Sequence, residues 1–154
     1  MSDLNWNSIK LIRQSKPMKE CSNNRSAIQQ AIQDIGSMDR EYNIRYDLDE
    51  SLKLIGREVI AIGSITEVMT TGREVFKGAI MNSAYEIIMA HNHPFGRLEP
   101  SEADYGAHDK IKAIGDIVGI PLVDSLIVND KEGISIPKHR REKDGNAFWR
   151  WLTR

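Results

Sequence analysis

Cysteine is nearly missing from this chain: Cys21 stands alone among 154 residues. That excludes an internal disulfide framework and a cysteine-rich zinc finger. It favours a reducing compartment only weakly, because many exported proteins also do without disulfides. No uncharged apolar run approaches the roughly 20 residues that span a bilayer, and Met1 to Trp6 carries neither a basic nor an apolar leader segment. A cytoplasmic protein with no membrane partner is the default expectation. An excess of one charge is missing too. Lys and Arg number 21 against 22 Asp and Glu, a formal net charge of -1, so the whole-molecule field gives no reason to expect nucleic acid. Internal repeats and low-complexity segments are also absent.

What remains is ordinary for a globular chain, with 40% hydrophobic and 28% charged residues. The length fits one domain with a real core. Residues 1 to 21 have no settled period and read as an arm. From Asn24 to Ile35 the apolar residues Ile28, Ala31, Ile32 and Ile35 recur on one helical face. Ser22 or Asn23 is placed to cap that helix, and Gly36 stands where a C' glycine belongs. Glu41 to Leu48 alternates, with Tyr42, Ile44, Tyr46 and Leu48 on one side of a strand and polar residues on the other. A turn at Asp49-Glu50-Ser51 leads into one long or two short strands over Leu52 to Ile65, with Gly56 and Gly63 as bends or bulges. Thr71 and Glu74 have capping-box spacing before a helix through Val75, Phe76, Ala79 and Ile80. Tyr85 to Ala90 is apolar on nearly every side chain, as in a strand covered on both faces. A helix after Ser101 uses Ala107, Ile111, Ile114 and Val118, and Gly119 ends it. Leu122 to Val128 is a strand that turns through Asn129 to Gly133 into Ile134-Ser135-Ile136. This order predicts a single-domain α/β fold, an α-β-α sandwich with a central mixed sheet.

The chemistry gathers at Ala90-His91-Asn92-His93-Pro94-Phe95-Gly96 and Pro100-Ser101-Glu102-Ala103-Asp104. Histidines at i and i+2 leave a strand end on one side while Asn92 points away, and Pro94 stops the ladder. Ser101 is a good helix cap, so Asp104 falls in the first helical turn, where a carboxylate is favoured. Two imidazoles and a carboxylate fill three corners of a tetrahedral zinc site and leave the fourth open. Each piece has a plain alternative: strand-end histidines also bond loop carbonyls, and Ser-x-x-Asp is also just a capping box. The composite is what carries weight.

The run His91-Asn92-His93-Pro94-x-Gly96, then Pro100-Ser101-x-x-Asp104, resembles the metal motif of the JAB/MPN+ (JAMM) metalloprotease superfamily, and more narrowly its RadC-like branch. Gly72-Arg73-Glu74-Val75-Phe76-Lys77-x-Ala79 upstream and Gly119-Ile120-x-Leu122-x-Asp124-x-Leu126-Ile127-Val128 downstream extend the resemblance from about Glu41 to Ser135. It implies a JAB/MPN-like fold, a stand-alone catalytic-type domain, and zinc held by His91, His93 and Asp104. It further implies that Ser101 polarises the substrate oxygen and that an upstream glutamate is the general acid/base. Glu41 is the matching position, although spacing alone does not rank it above Glu67 or Glu74, and Glu74 has its own use as a cap partner. The activity so implied is hydrolysis of an amide bond in a peptide or protein substrate.

This chain departs from the branch pattern at Phe95, where serine is usual, at Ser125, where histidine follows the aspartate, and at His108, where threonine is common. None removes a ligand. His108, one turn after Asp104, reads as a surface histidine or as a supporting or accessory group. Asp124 reads as structural, bonded to an imidazole or a backbone amide. The stretch 138–154 has six Lys or Arg against two acids and includes Phe148, Trp149 and Trp151. A basic aromatic tail of this kind can stack and neutralise nucleic acid, but packing on the domain or on a second copy as a homodimer is the favoured expectation.

Rival functions follow from these features. The family's DNA-repair label and the tail suggest a DNA-associated protein or nuclease, against which the histidine ligands lean toward zinc over Mg²⁺. A zinc deaminase would need a Pro-Cys-x-x-Cys element, which a chain with one cysteine lacks. A metal-binding interaction module without turnover is the third reading.

Overall fold

The computed structural model describes residues 24–63, 72–94 and 96–152, without the side chains of Asn24 and residues 146–152. The expected N-terminal arm, Thr71, Glu67 and Phe95 lie outside the described residues. Among the described residues four helices and five strands follow one another as α1 (Asn24–Ile35), β1 (Tyr42–Leu48), β2 (Leu54–Ile62), α2 (Gly72–Met81), β3 (Glu86–Asn92), α3 (Glu102–Val118), β4 (Leu122–Val128), β5 (Gly133–Ser135) and α4 (Ile136–Leu152). The strands form one mixed sheet in the order β2-β1-β3-β4-β5. β3 and β4 run parallel and the other neighbours antiparallel. This is the expected α/β architecture, with β3 at its centre.

Helices cover both faces. Ala27, Ala31 and Ile35 of α1 pack on Ile44, Tyr46, Leu48, Ile88, Ala90, Leu126 and Val128. On the other face Val75, Phe76 and Ala79 of α2 and Ile111 of α3 meet Ile87, Met89 and Leu122. Fully burying one such aliphatic side chain stabilises the fold by about 1.5–3 kcal/mol. Ile80 and Val118, expected on inner stripes, are instead 58% and 40% exposed. Ile80 lies about 100° farther round its helix than Ala79, off the packed face. In the last turn of α3 the close approach belongs to Gly115, where a Cβ would stand 2.6 Å from Ile120 O.

A bulge in β4 sets up the site. Ile87 pairs with Leu122 but Ile88 pairs with Asp124, so Val123 is skipped. The extra residue changes the phase of β4, and Met89, Ser125, His91 and Ile127 then share the face under α3. The basic residues Lys138, Arg140, Arg141 and Lys143 lie on the helix that starts at Ile136. Ser135 caps it, accepting Lys138 N–H at 3.3 Å. Tyr105 O–H and His139 Nδ1 are 2.9 Å apart, and Arg140 pairs with Asp109 while lying over the Tyr105 ring. The first turns of α4 are thereby fastened to α3; the side chains of Phe148, Trp149 and Trp151 lie outside the description.

Candidate metal centre

β3 and the start of α3 bring the centre together. His91 is a buried residue of β3 and His93 follows immediately after it. The His93 N–H still bonds Val128 O of the neighbouring strand at 2.9 Å. Asp104 is buried in the first turn of α3, and Ser101 caps that helix with a full capping box. Ser101 Oγ accepts the Asp104 N–H at 3.2 Å, while Asp104 Oδ2 accepts both Ser101 N–H and Ser101 O–H at 2.7 Å. One carboxylate oxygen is thus held by the cap, and Oδ1 stands 3.2 Å from His91 Nε2.

The three donor groups fit a metal ion. His91 Nε2 and His93 Nε2 are 3.1 Å apart, and all three donor atoms lie within 4.8 Å of one another. Donors bound to zinc at about 2.0–2.1 Å in a tetrahedron stand roughly 3.3 Å apart. His93 Nδ1 lies 3.1 Å from Arg97 O. A carbonyl only accepts, so His93 donates through Nδ1–H, which leaves Nε2 as the ring nitrogen turned toward the cluster. Burial by itself would raise the pKa of Asp104, but the hydrogen bonds from His91 and Ser101 outweigh it and lower the value to about 2. The carboxylate is therefore ionised and ready to coordinate across the physiological range.

Glu41 precedes β1 and is half-buried. Glu41 lies two residues before Asn43, which pairs with His91 of β3. It is not a member of the donor cluster. Glu74 sits in the first turn of α2 and is exposed.

Sequence reasoning missed what lies behind the ligands. His108 is no surface residue: it is 7% exposed, and its Nδ1 lies 2.8 Å from Ser125 Oγ. The two departures from the branch pattern therefore touch each other. Asn43, His91, Asp104, His108 and Ser125 line a cavity of about 10 Å³. Asn43 Nδ2, buried there, has no hydrogen-bond partner among the described residues. Asp124 accepts Ser125 N–H and Ser135 O–H, both at 2.8 Å, which makes it a brace between β4 and β5.

An α-β-α sandwich with two histidines at the end of its central strand, facing an aspartate in a capped helix turn, is the arrangement of a JAB-type domain with a group of side chains able to hold a metal ion. The family model described as the RadC-like JAB domain matches residues 21–143, and the chain belongs to that family. Among curated proteins, a UPF0758 protein of Finegoldia magna is 40% identical over 105 residues, covering 68% of this chain and 47% of that one. UPF0758 proteins of Rubrobacter xylanophilus and Methanosarcina mazei are each 36% identical, over 62% and 63% of this chain and 42% of theirs. The matched stretch thus spans under half the length of these relatives. Among the described residues no helix is long and apolar enough to cross a membrane.

Proposed function

We propose that the protein is a zinc-dependent hydrolase of the JAMM type that cleaves an amide bond, peptide or isopeptide. The observation that carries this reading is the convergence of His91 Nε2, His93 Nε2 and Asp104 Oδ1 at spacings suited to a tetrahedral ion. Zinc, when bound, supplies Lewis acidity and brings the pKa of a coordinated water down to about 7. His91 and His93 would each offer a ring nitrogen to the ion, and Asp104 the oxygen that its cap leaves free. In this proposal Glu41 takes the proton from the attacking water and returns it to the leaving amine nitrogen. Ser101, whose hydroxyl is bonded to Asp104 here, is the donor assigned to the substrate oxygen.

Metal analysis of purified protein tests the first half: one zinc per chain is expected, with little in His93→Ala. No zinc in either protein, or equal zinc in both, would sink the proposal. Turnover is tested on peptide and isopeptide-linked substrates, where Glu41→Gln is expected to keep the metal and lose hydrolysis.

A further inference from the structure

Asn92 lies between the two ligand histidines and is fully buried, at 0% exposure. Its amide is engaged at both ends. Oδ1 accepts Tyr42 N–H at 2.6 Å, and Nδ2 donates to Arg40 O at 3.0 Å and to Met38 O at 3.4 Å. These partners bear a particular covalent relation to Glu41. The Arg40 carbonyl belongs to the peptide plane on the N-terminal side of the Glu41 Cα, and the Tyr42 N–H belongs to the plane on its C-terminal side. Peptide units are rigid and planar, so only φ and ψ at the intervening Cα remain free. Holding both planes fixes those two angles, and with them the direction in which the Glu41 side chain leaves the backbone. Gly63 N–H, donated to Glu41 O at 2.8 Å, holds the second plane again from beyond the end of β2.

We propose that Asn92 is a positioning residue, whose amide clamps the two peptide planes flanking Glu41 and so aims that carboxylate at the His91–His93–Asp104 centre. This inference rests on reading Glu41 as the acid/base. The work requires a donor and an acceptor on one short planar group. Aspartate lacks the donor, serine has a single proton to give, and leucine has neither. Because Asn92 is bonded covalently to both ligand histidines, the ion and the base take their positions from the same three residues.

The test uses Co²⁺ in place of zinc and compares wild type, Glu41→Gln, Asn92→Ala and the double variant. The visible absorption of Co²⁺ reports the groups around the ion. Asn92→Ala is expected to bind Co²⁺ within about tenfold of wild type, because losses of about 10–100-fold follow removal of a group bonded directly to a ligand. Its absorption bands should shift as those of Glu41→Gln do, and the double variant should shift no further. Deuterium exchange at the Tyr42 and Gly63 amides should quicken in Asn92→Ala and not in Glu41→Gln. A wild-type spectrum for Asn92→Ala beside a shifted Glu41→Gln, or fully additive shifts, overturns the clamp. An unshifted Glu41→Gln overturns instead the acid/base assignment on which the clamp depends. Should circular dichroism show Asn92→Ala unfolded, Asn92→Asp carries the same comparison, since it keeps the acceptor for Tyr42 N–H and opposes Arg40 O with a carboxylate oxygen.

Discussion

The two oxygens of Asp104 have separate occupations: Oδ2 closes the helix cap with Ser101, and Oδ1 faces His91. Ser101→Ala should therefore act twice. Losing an N-cap costs about 0.5–2 kcal/mol, read as a lower denaturant midpoint, and losing a bond to a ligand weakens zinc by about 10–100-fold, read by chelator competition. A loss of stability with unchanged zinc affinity would separate the cap from the site. The folded pKa of Asp104, about 2, is below the unfolded value of about 3.9. Its contribution to stability is present above pH ~4 and is lost as pH falls through about 2. His108 shifts differently. Burial lowers its pKa, so the unfolded chain takes up a proton near pH 6.5 that the folded chain refuses. Stability should fall as pH drops through about 6.5 and stop falling below the folded pKa, and His108→Thr should flatten that part of the profile of melting temperature against pH. The Ser125 contact adds a double-mutant cycle. Ser125→His alone overfills the space beside His108 at a cost of about 1–3 kcal/mol. Combining it with His108→Thr should recover much of that, for a coupling of about 0.5–3 kcal/mol; additive losses would show that the pair is not exchangeable.

At the scale of elements, β1 shows what a sequence pattern can and cannot convey. Its period-two alternation was legible, and Ile44, Tyr46 and Leu48 do face α1. The polar row on the other side is buried as well: Asn43, Arg45 and Asp47 are 1%, 0% and 0% exposed. Arg45 is satisfied by Asp47 from its own strand, by Glu58 on β2 and by Val75 O on α2. Two of those partners are 13 and 30 residues away, so no local window reveals that the charge is spent. Arg45→Leu would leave Asp47 as an uncompensated buried charge and is expected to cost about 3–5 kcal/mol in urea unfolding. Replacing both residues with leucine should cost less than the Arg45 change alone; a larger loss in the double variant would mean that the pair stabilises the fold beyond mutual neutralisation. The same distinction governs the candidate site. His91, His93 and Asp104 were readable because strand period and cap spacing are local rules. Asn92 was read only as pointing away, since its clamp reaches residues 50 to 54 positions distant. α4 was hidden because its basic composition offers no apolar stripe, while its attachment through Tyr105 and Asp109 comes from another helix.

At the scale of the whole molecule, the candidate centre joins the sheet to a helix that covers one of its faces. His91 belongs to the end of β3 and His93 follows just after it, Asp104 belongs to the start of α3, and the chain between Pro94 and Pro100 forms no helix or strand among its described residues. An ion shared by all three must therefore oppose separation of α3 from β3, and it binds the folded chain in preference to the unfolded one. At a free concentration one hundred times its dissociation constant, such an ion adds about 2.7 kcal/mol. For a domain of this size that corresponds to a rise in melting temperature of roughly 5–10 °C. A thermal scan with zinc against one with chelator should show this rise in wild type. The rise should disappear in His93→Ala, which lacks a ligand, and persist in Glu41→Gln, because Glu41 stands outside the donor cluster. An equal rise in His93→Ala would place the ion elsewhere on the protein. Loss of the rise in Glu41→Gln would make Glu41 a fourth ligand, closing the open corner that hydrolysis needs.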